Sequence, residues 1–202
     1  MNRETLWLSC GVVRDELLQL HRQGLISGSL LFLDSMLHMN PPNLEAELQA
    51  ELRRQSNEER LIVLVYGDCS PGMLDLVRRF KAGRIDAINC AQFLVGRERY
   101  RELMREEAFL VLPEWARRWK HVMGHELGLS RPVARELMGE NRGALVYLDT
   151  GITPAPREEL AEFSEYTGLP WRVEAVTLEP ALAELLKAQA RAMAARPREE
   201  SI

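Results

Sequence analysis

Short apolar runs of five to seven residues recur along this chain, and most are followed by a stretch whose apolar residues fall three and four apart. The clearest run is 60–66 (RLIVLVY); others are 5–10 (TLWLSC), 29–34 (SLLFLD), 84–90 (RIDAINC), 108–112 (AFLVL), 144–149 (ALVYLD) and 171–177 (WRVEAVT). Runs of this length read as strands, and the stretches between them read as helices. Helices are expected at 12–22, 44–54 with Asn43 as N-cap, 73–81, around 93–105, 114–128, after Ser130 with Pro132 in the first turn, 156–168, and 178–195. Strands that alternate with helices form right-handed βαβ units and a mainly parallel sheet. The fold class expected is α/β: an open, mainly parallel sheet with helices on both faces, a Rossmann-like three-layer arrangement. Residues 1–195 are expected to form a single α/β domain with 114–143 as a helical insertion, and 196–202 a frayed tail.

The chain has 202 residues, enough to bury a sizeable core. Its net charge of −4 gives the whole molecule no attraction for nucleic acid or anionic lipid. The N-terminus MNRETLWLSCG does not read as a signal peptide, and no apolar stretch approaches the roughly 20 residues that span a bilayer. A cytoplasmic protein is expected, bound to neither membrane nor nucleic acid. Three cysteines do not make a disulfide framework.

In open parallel sheets, ligands bind outside the carboxyl ends of the strands. Cys10 ends the first expected strand, and His38 lies in the loop after Asp34, which ends the second. Cys69 follows the third by one turn, and Cys90 ends the fourth. All three thiols and one imidazole thus fall at one sheet edge. Cys₃His is a tetrahedral zinc ligand set. The same donors would suit iron, or cobalt in a bound cofactor. Two other readings compete: each cysteine packs as a small apolar residue, or Cys69 forms a reversible disulfide with Cys10 or Cys90.

Several further residues are candidates. Arg97, Arg99 and Tyr100 in GRERYR would receive a carboxylate or phosphate, or else form a solvated helix start. Asp149 ends a strand at the ligand edge and would bind substrate or make a turn. His121 and His125 stand at i and i+4, the spacing of one helix face, but do not form an HExxH signature. His21, near a helix end, reads as a surface residue. Gly67 and Gly72 bracket Cys69 without making a nucleotide-binding glycine motif.

The runs LSCG, LHMNPPNLEAEL, VYGDCSPGM, NCAQFLVGRERY and LDTG, with the FSEYTGLPW region, together resemble the DUF1638 family over nearly the whole chain. That family has no assigned activity. The resemblance matches Cys10, His38, Cys69, Cys90, Gly96 and Tyr100 to the family's positions. It departs where Asn89 precedes Cys90 in place of aspartate, and where Ser70 stands in place of a second glycine. The resemblance implies a shared site, and through some relatives a link to corrinoid-dependent methyl transfer.

The function expected is binding of one metal ion, zinc first and iron or corrinoid cobalt as alternatives, at Cys10, His38, Cys69 and Cys90. Such a centre would support methyl or thiol group transfer on a small anionic substrate held by Arg97, Arg99, Tyr100 and Asp149. The alternatives are a non-enzymatic accessory or chaperone for a partner metalloenzyme or corrinoid system, and a thiol redox protein.

Overall fold

The computed structural model describes residues 3–57 and 59–196. In chain order the elements are β1 (Glu4–Cys10), α1 (Arg14–Arg22), β2 (Ser29–Leu33), α2 (Pro41–Gln55), β3 (Arg60–Val65), α3 (Met73–Phe80), β4 (Gly83–Arg84), α4 (Cys90–Val95), α5 (Arg97–Arg105), β5 (Ala108–Val111), α6 (Pro113–Lys120), α7 (Arg131–Asn141), β6 (Ala144–Asp149), α8 (Arg157–Thr167), β7 (Trp171–Ala175) and α9 (Glu179–Ala195). The fold is mixed α/β, with parallel strands flanked by helices. Among the described residues, seven strands fall into two sheets, one of four strands and one of three. The chain divides accordingly into two compact units, residues 1–93 with 179–202, and residues 94–178.

In the first unit the strand order is β2-β1-β3-β4, and every pairing among the described residues is parallel. β1 and β3 are central, paired in register from Glu4 with Arg60 to Ser9 with Val65. Trp7, Leu8, Ile62, Val63, Leu64 and Val65 are all fully buried. Both faces of these strands are covered, which is why they read as unbroken apolar runs. β2 lies at the edge and is only half-buried along its length. The path from β1 through α1 to β2 runs one way, and the path from β2 through α2 to β3 steps back over β1. Right-handed crossovers therefore put α1 on one face and α2 with α3 on the other. α9 returns to this unit and packs against β3 and β4.

Two expected boundaries move. The helix expected to start after Asn43 begins at Pro41, because proline suits a first helical turn. Its N-cap is Asn40, whose side chain accepts from the Asn43 N–H at 3.2 Å. The strand expected over 84–90 is only the two residues of β4. Beyond them the chain keeps an alternating burial but leaves the sheet, so Cys90 begins α4 and does not end a strand. Gly96, at φ +80° and ψ 163°, occupies backbone space suited to glycine and separates α4 from α5.

In the second unit the order is β5-β6-β7, again parallel, so the chain progresses across this sheet in one direction. Residues 114–143, expected as a helical insertion, supply α6 and α7 with a π-helical turn at His121–Glu126. Its core gathers Val111, Trp119, Met123, Leu145, Tyr147 and Phe163. The Trp119 and Phe163 rings stack at 5.0 Å. No helix among the described residues is long and apolar enough to cross a membrane.

At the chain's end, Arg196 donates to the carbonyls of Asn57, Arg60 and Phe80. The rest of the expected frayed tail, 197–202, lies outside the described residues.

Candidate metal centre

The reversal of chain direction in the first unit falls between β1 and β3. Loops leaving their carboxyl ends go to opposite faces, the arrangement at which ligands bind in open α/β sheets. Cys10 is the last residue of β1, and Cys69 lies in the turn after β3. The Asp68 N–H donates to the Ile88 carbonyl at 2.9 Å, so the segment before Cys90 is tied to the same turn. Gly67 makes this approach sterically feasible. A Cβ there would stand 2.5 Å from the Ile88 oxygen and 2.7 Å from the Asn89 Cα.

These contacts bring the three cysteines together. Cys10 and Cys90 share a side-chain hydrogen bond, and Cys69 lies close enough to Cys10 and to Cys90 to interact electrostatically with each. None of the three is in a disulfide; Cys10 and Cys90 are buried and Cys69 is half-buried. The bond to Cys10 is the largest influence raising the Cys90 thiol, followed by burial and by charge on Cys10, Cys69 and Glu16. Burial, then Cys10, raises Cys69, while a hydrogen bond from the Gly67 backbone and the Arg84 charge pull it partly back. Both shifts favour the protonated thiol at Cys69 and Cys90. A cation would reverse that balance and draw the thiolates out.

His38 lies in a 3-10 turn (Ser35–Met39) after β2, the strand paired with β1 up to Cys10 and Leu33. Its Nδ1–H donates to the Ser35 carbonyl at 2.6 Å. In the neutral ring that bond places the lone pair on Nε2, the arrangement common to metal-ligating histidines.

Three residues here were not anticipated. Tyr66 is 1% exposed, and its hydroxyl has no hydrogen-bond partner among the described residues. Burial raises its phenol well above the ordinary range, and Cys10, Cys90 and Cys69 add to that. Glu16, on α1, is also 1% exposed. A signal for it exists in the sequence, because it occupies the buried stripe of Val13, Leu17 and Leu20. Glu45, on α2, accepts from the Ser70 hydroxyl at 2.6 Å and the Gly72 N–H at 3.2 Å. It holds the loop that carries Cys69, and Ser70 is itself buried.

The expected anion-binding residues all lie in the second unit. Arg99 engages Glu174 through Nε at 2.7 Å and Nη2 at 2.9 Å, and Glu102 through Nη1 at 2.8 Å. Its guanidinium is therefore committed to a carboxylate network that also includes Glu106 and Arg172. Arg97 is exposed and Tyr100 half-buried at the start of α5. Asp149 accepts from the Gly151 N–H at 2.9 Å, which makes the turn after β6.

The second unit also holds a separate group. One ligand atom each from His121, His125 and Glu126 lie within 4.8 Å of one another. Among the described residues this is the group of His, Cys, Asp and Glu side chains whose ligand atoms lie that close together; Cys10, Cys69, Cys90 and His38 do not form such a group.

Residues 32–185 match the model of a protein family of unknown function, DUF1638. The chain belongs to this family. The matched region contains His38, Cys69, Cys90, Arg97, Arg99, Tyr100 and Asp149, and Cys10 precedes it. No curated protein and no solved structure matches the chain.

Proposed function

We propose that this DUF1638 protein binds one thiophilic metal ion, zinc before iron or corrinoid cobalt, through Cys10, Cys69 and Cys90, with His38 as the fourth donor. One observation supports this reading: three thiols, none in a disulfide, lie near one another at the switch point of a parallel sheet, beside a buried tyrosine hydroxyl without a partner among the described residues. A buried donor in that position is costly unless something is held beside it. The Gly67 N–H that supports charge on Cys69 is the kind of outer contact that tunes a metal thiolate.

The chemistry such a centre supplies is ionisation of a bound thiol or polarisation of a bound oxygen. With His38 bound the four donors close the site, and with His38 displaced by a substrate the fourth position supports group transfer. The thiol-redox alternative has less support, since reactive cysteines are held below their ordinary range, and Cys69 and Cys90 are both pushed above it.

Titration of reduced protein with Co²⁺ tests the proposal. The parent is expected to give a thiolate-to-cobalt charge-transfer band at one equivalent, and Cys69→Ala to lose it. Tyr66→Phe, which removes only a partnerless hydroxyl, is expected to retain the parent's stability within about 1 kcal/mol and serves as the folding control. A folded, reduced parent with no charge-transfer band would overturn the proposal.

A further inference from the structure

The geometry points to a second metal site on the other unit, where His121, His125 and Glu126 bind a borderline divalent ion such as zinc with open coordination positions. The backbone builds this site. α6 ends at Lys120, and the chain continues as a π-helical turn over His121–Glu126. The Leu127 N–H donates at 2.9 Å to the Val122 carbonyl, five residues back. In an α-helix, about 100° separates successive residues, so Glu126 would point roughly 140° away from His121. The wider π turn lets positions i+4 and i+5 fall on either side of position i. His121 thereby faces both His125 and Glu126.

The donors are close, and small side-chain rotations bring them to one point. His121 Nε2 is hydrogen-bonded to Glu126 Oε1 at 2.9 Å, His125 Nδ1 lies 3.5 Å from the same oxygen, and the three ligand atoms fall within 4.8 Å of one another. Zinc bonds of about 2.0–2.1 Å in a tetrahedron set neighbouring ligand atoms roughly 3.3 Å apart. The two imidazole rings are stacked at 4.8 Å and 13°, so an ion displaces the His121–Glu126 hydrogen bond and turns one ring out of the stack to converge both lone pairs. Val122 and Met123, both buried, anchor the turn, and Met123 belongs to the core around Trp119. His125 is exposed and Glu126 partly so, which leaves room for water or a small ligand. Two histidines and a glutamate with an open position form a donor set used by catalytic zinc sites.

The test uses the full chain in reduced form, titrated with Co²⁺ in the Cys69→Ala background. Binding here would give ligand-field absorption without a thiolate charge-transfer band, so its success or failure is read separately from that of the cysteine centre. His121→Ala and His125→Ala are each expected to weaken this binding at least about tenfold, and Glu126→Gln to weaken it measurably. Both histidines are exposed enough that the fold should tolerate the changes. Absence of cobalt binding at micromolar ion in Cys69→Ala, or equal binding in the histidine variants, would overturn the assignment.

Discussion

Glu174 shows how a single side chain can organise a surface. Arg99 is the largest influence holding its carboxyl below the usual carboxylate range; burial opposes this, and Arg172 assists. A carboxyl depressed in the folded state contributes stability above its unfolded value of about 4.3. That contribution is lost as pH falls through the lower, folded value. Glu174→Gln is therefore expected to cost about 1 kcal/mol at neutral pH, a figure kept small because Arg99 is over a third exposed. Urea unfolding from pH 7 to pH 3 should show the gap between parent and variant closing below about pH 4. A gap that stays constant with pH would mean that the carboxylate charge is not what matters. The same network explains why Arg99 is a poor choice for binding a substrate anion, since its donors are already facing carboxylates.

At the scale of elements, the cysteine centre depends on how two turns touch. β3 delivers Tyr66 and Gly67, and the segment after β4 delivers Ile88, Asn89 and Cys90. They meet at a glycine where even a methyl group would overlap backbone atoms. Gly67→Ala must push the two segments apart. Overpacking of this kind costs about 1–3 kcal/mol. The variant should also lose the cobalt–thiolate band, because the displacement separates Cys69 from Cys90. Denaturant unfolding and the cobalt spectrum together check this; a variant with parent stability and an unchanged band would show that the close approach is not required. Glu45 works in the same direction from α2, by gripping Ser70 and Gly72 on the far side of Cys69.

At the scale of the whole molecule, the first unit is assembled from two separate stretches of chain. α9 closes it, burying Ala181, Leu185, Ala188 and Ala192 and packing on β3 and β4. Truncation after Leu178 is expected to uncover that sheet face, with loss of helical circular dichroism beyond the deleted residues and loss of cobalt–thiolate absorption. Retention of both would show that the sheet stands without α9. Local pattern was enough to determine the parallel α/β class, the positions of β1, β3 and β6, and the placing of Cys10, His38 and Cys69 beyond strand ends, because burial on both faces imposes long apolar runs on central strands. Residues 84–90 misled for an instructive reason. Ile85 and Ala87 alternate in burial with Asp86 and Ile88, as in a strand, yet the Ile88 carbonyl bonds to a turn and not to a neighbouring strand. Periodicity records which side of the chain is covered, not what its backbone groups pair with. For the same reason the division into two sheets, the meeting of Cys90 with Cys10, and the π turn that sets Glu126 beside His121 were decided only by tertiary structure: each depends on which distant hydrogen bonds form, and no local pattern of side chains carries that choice.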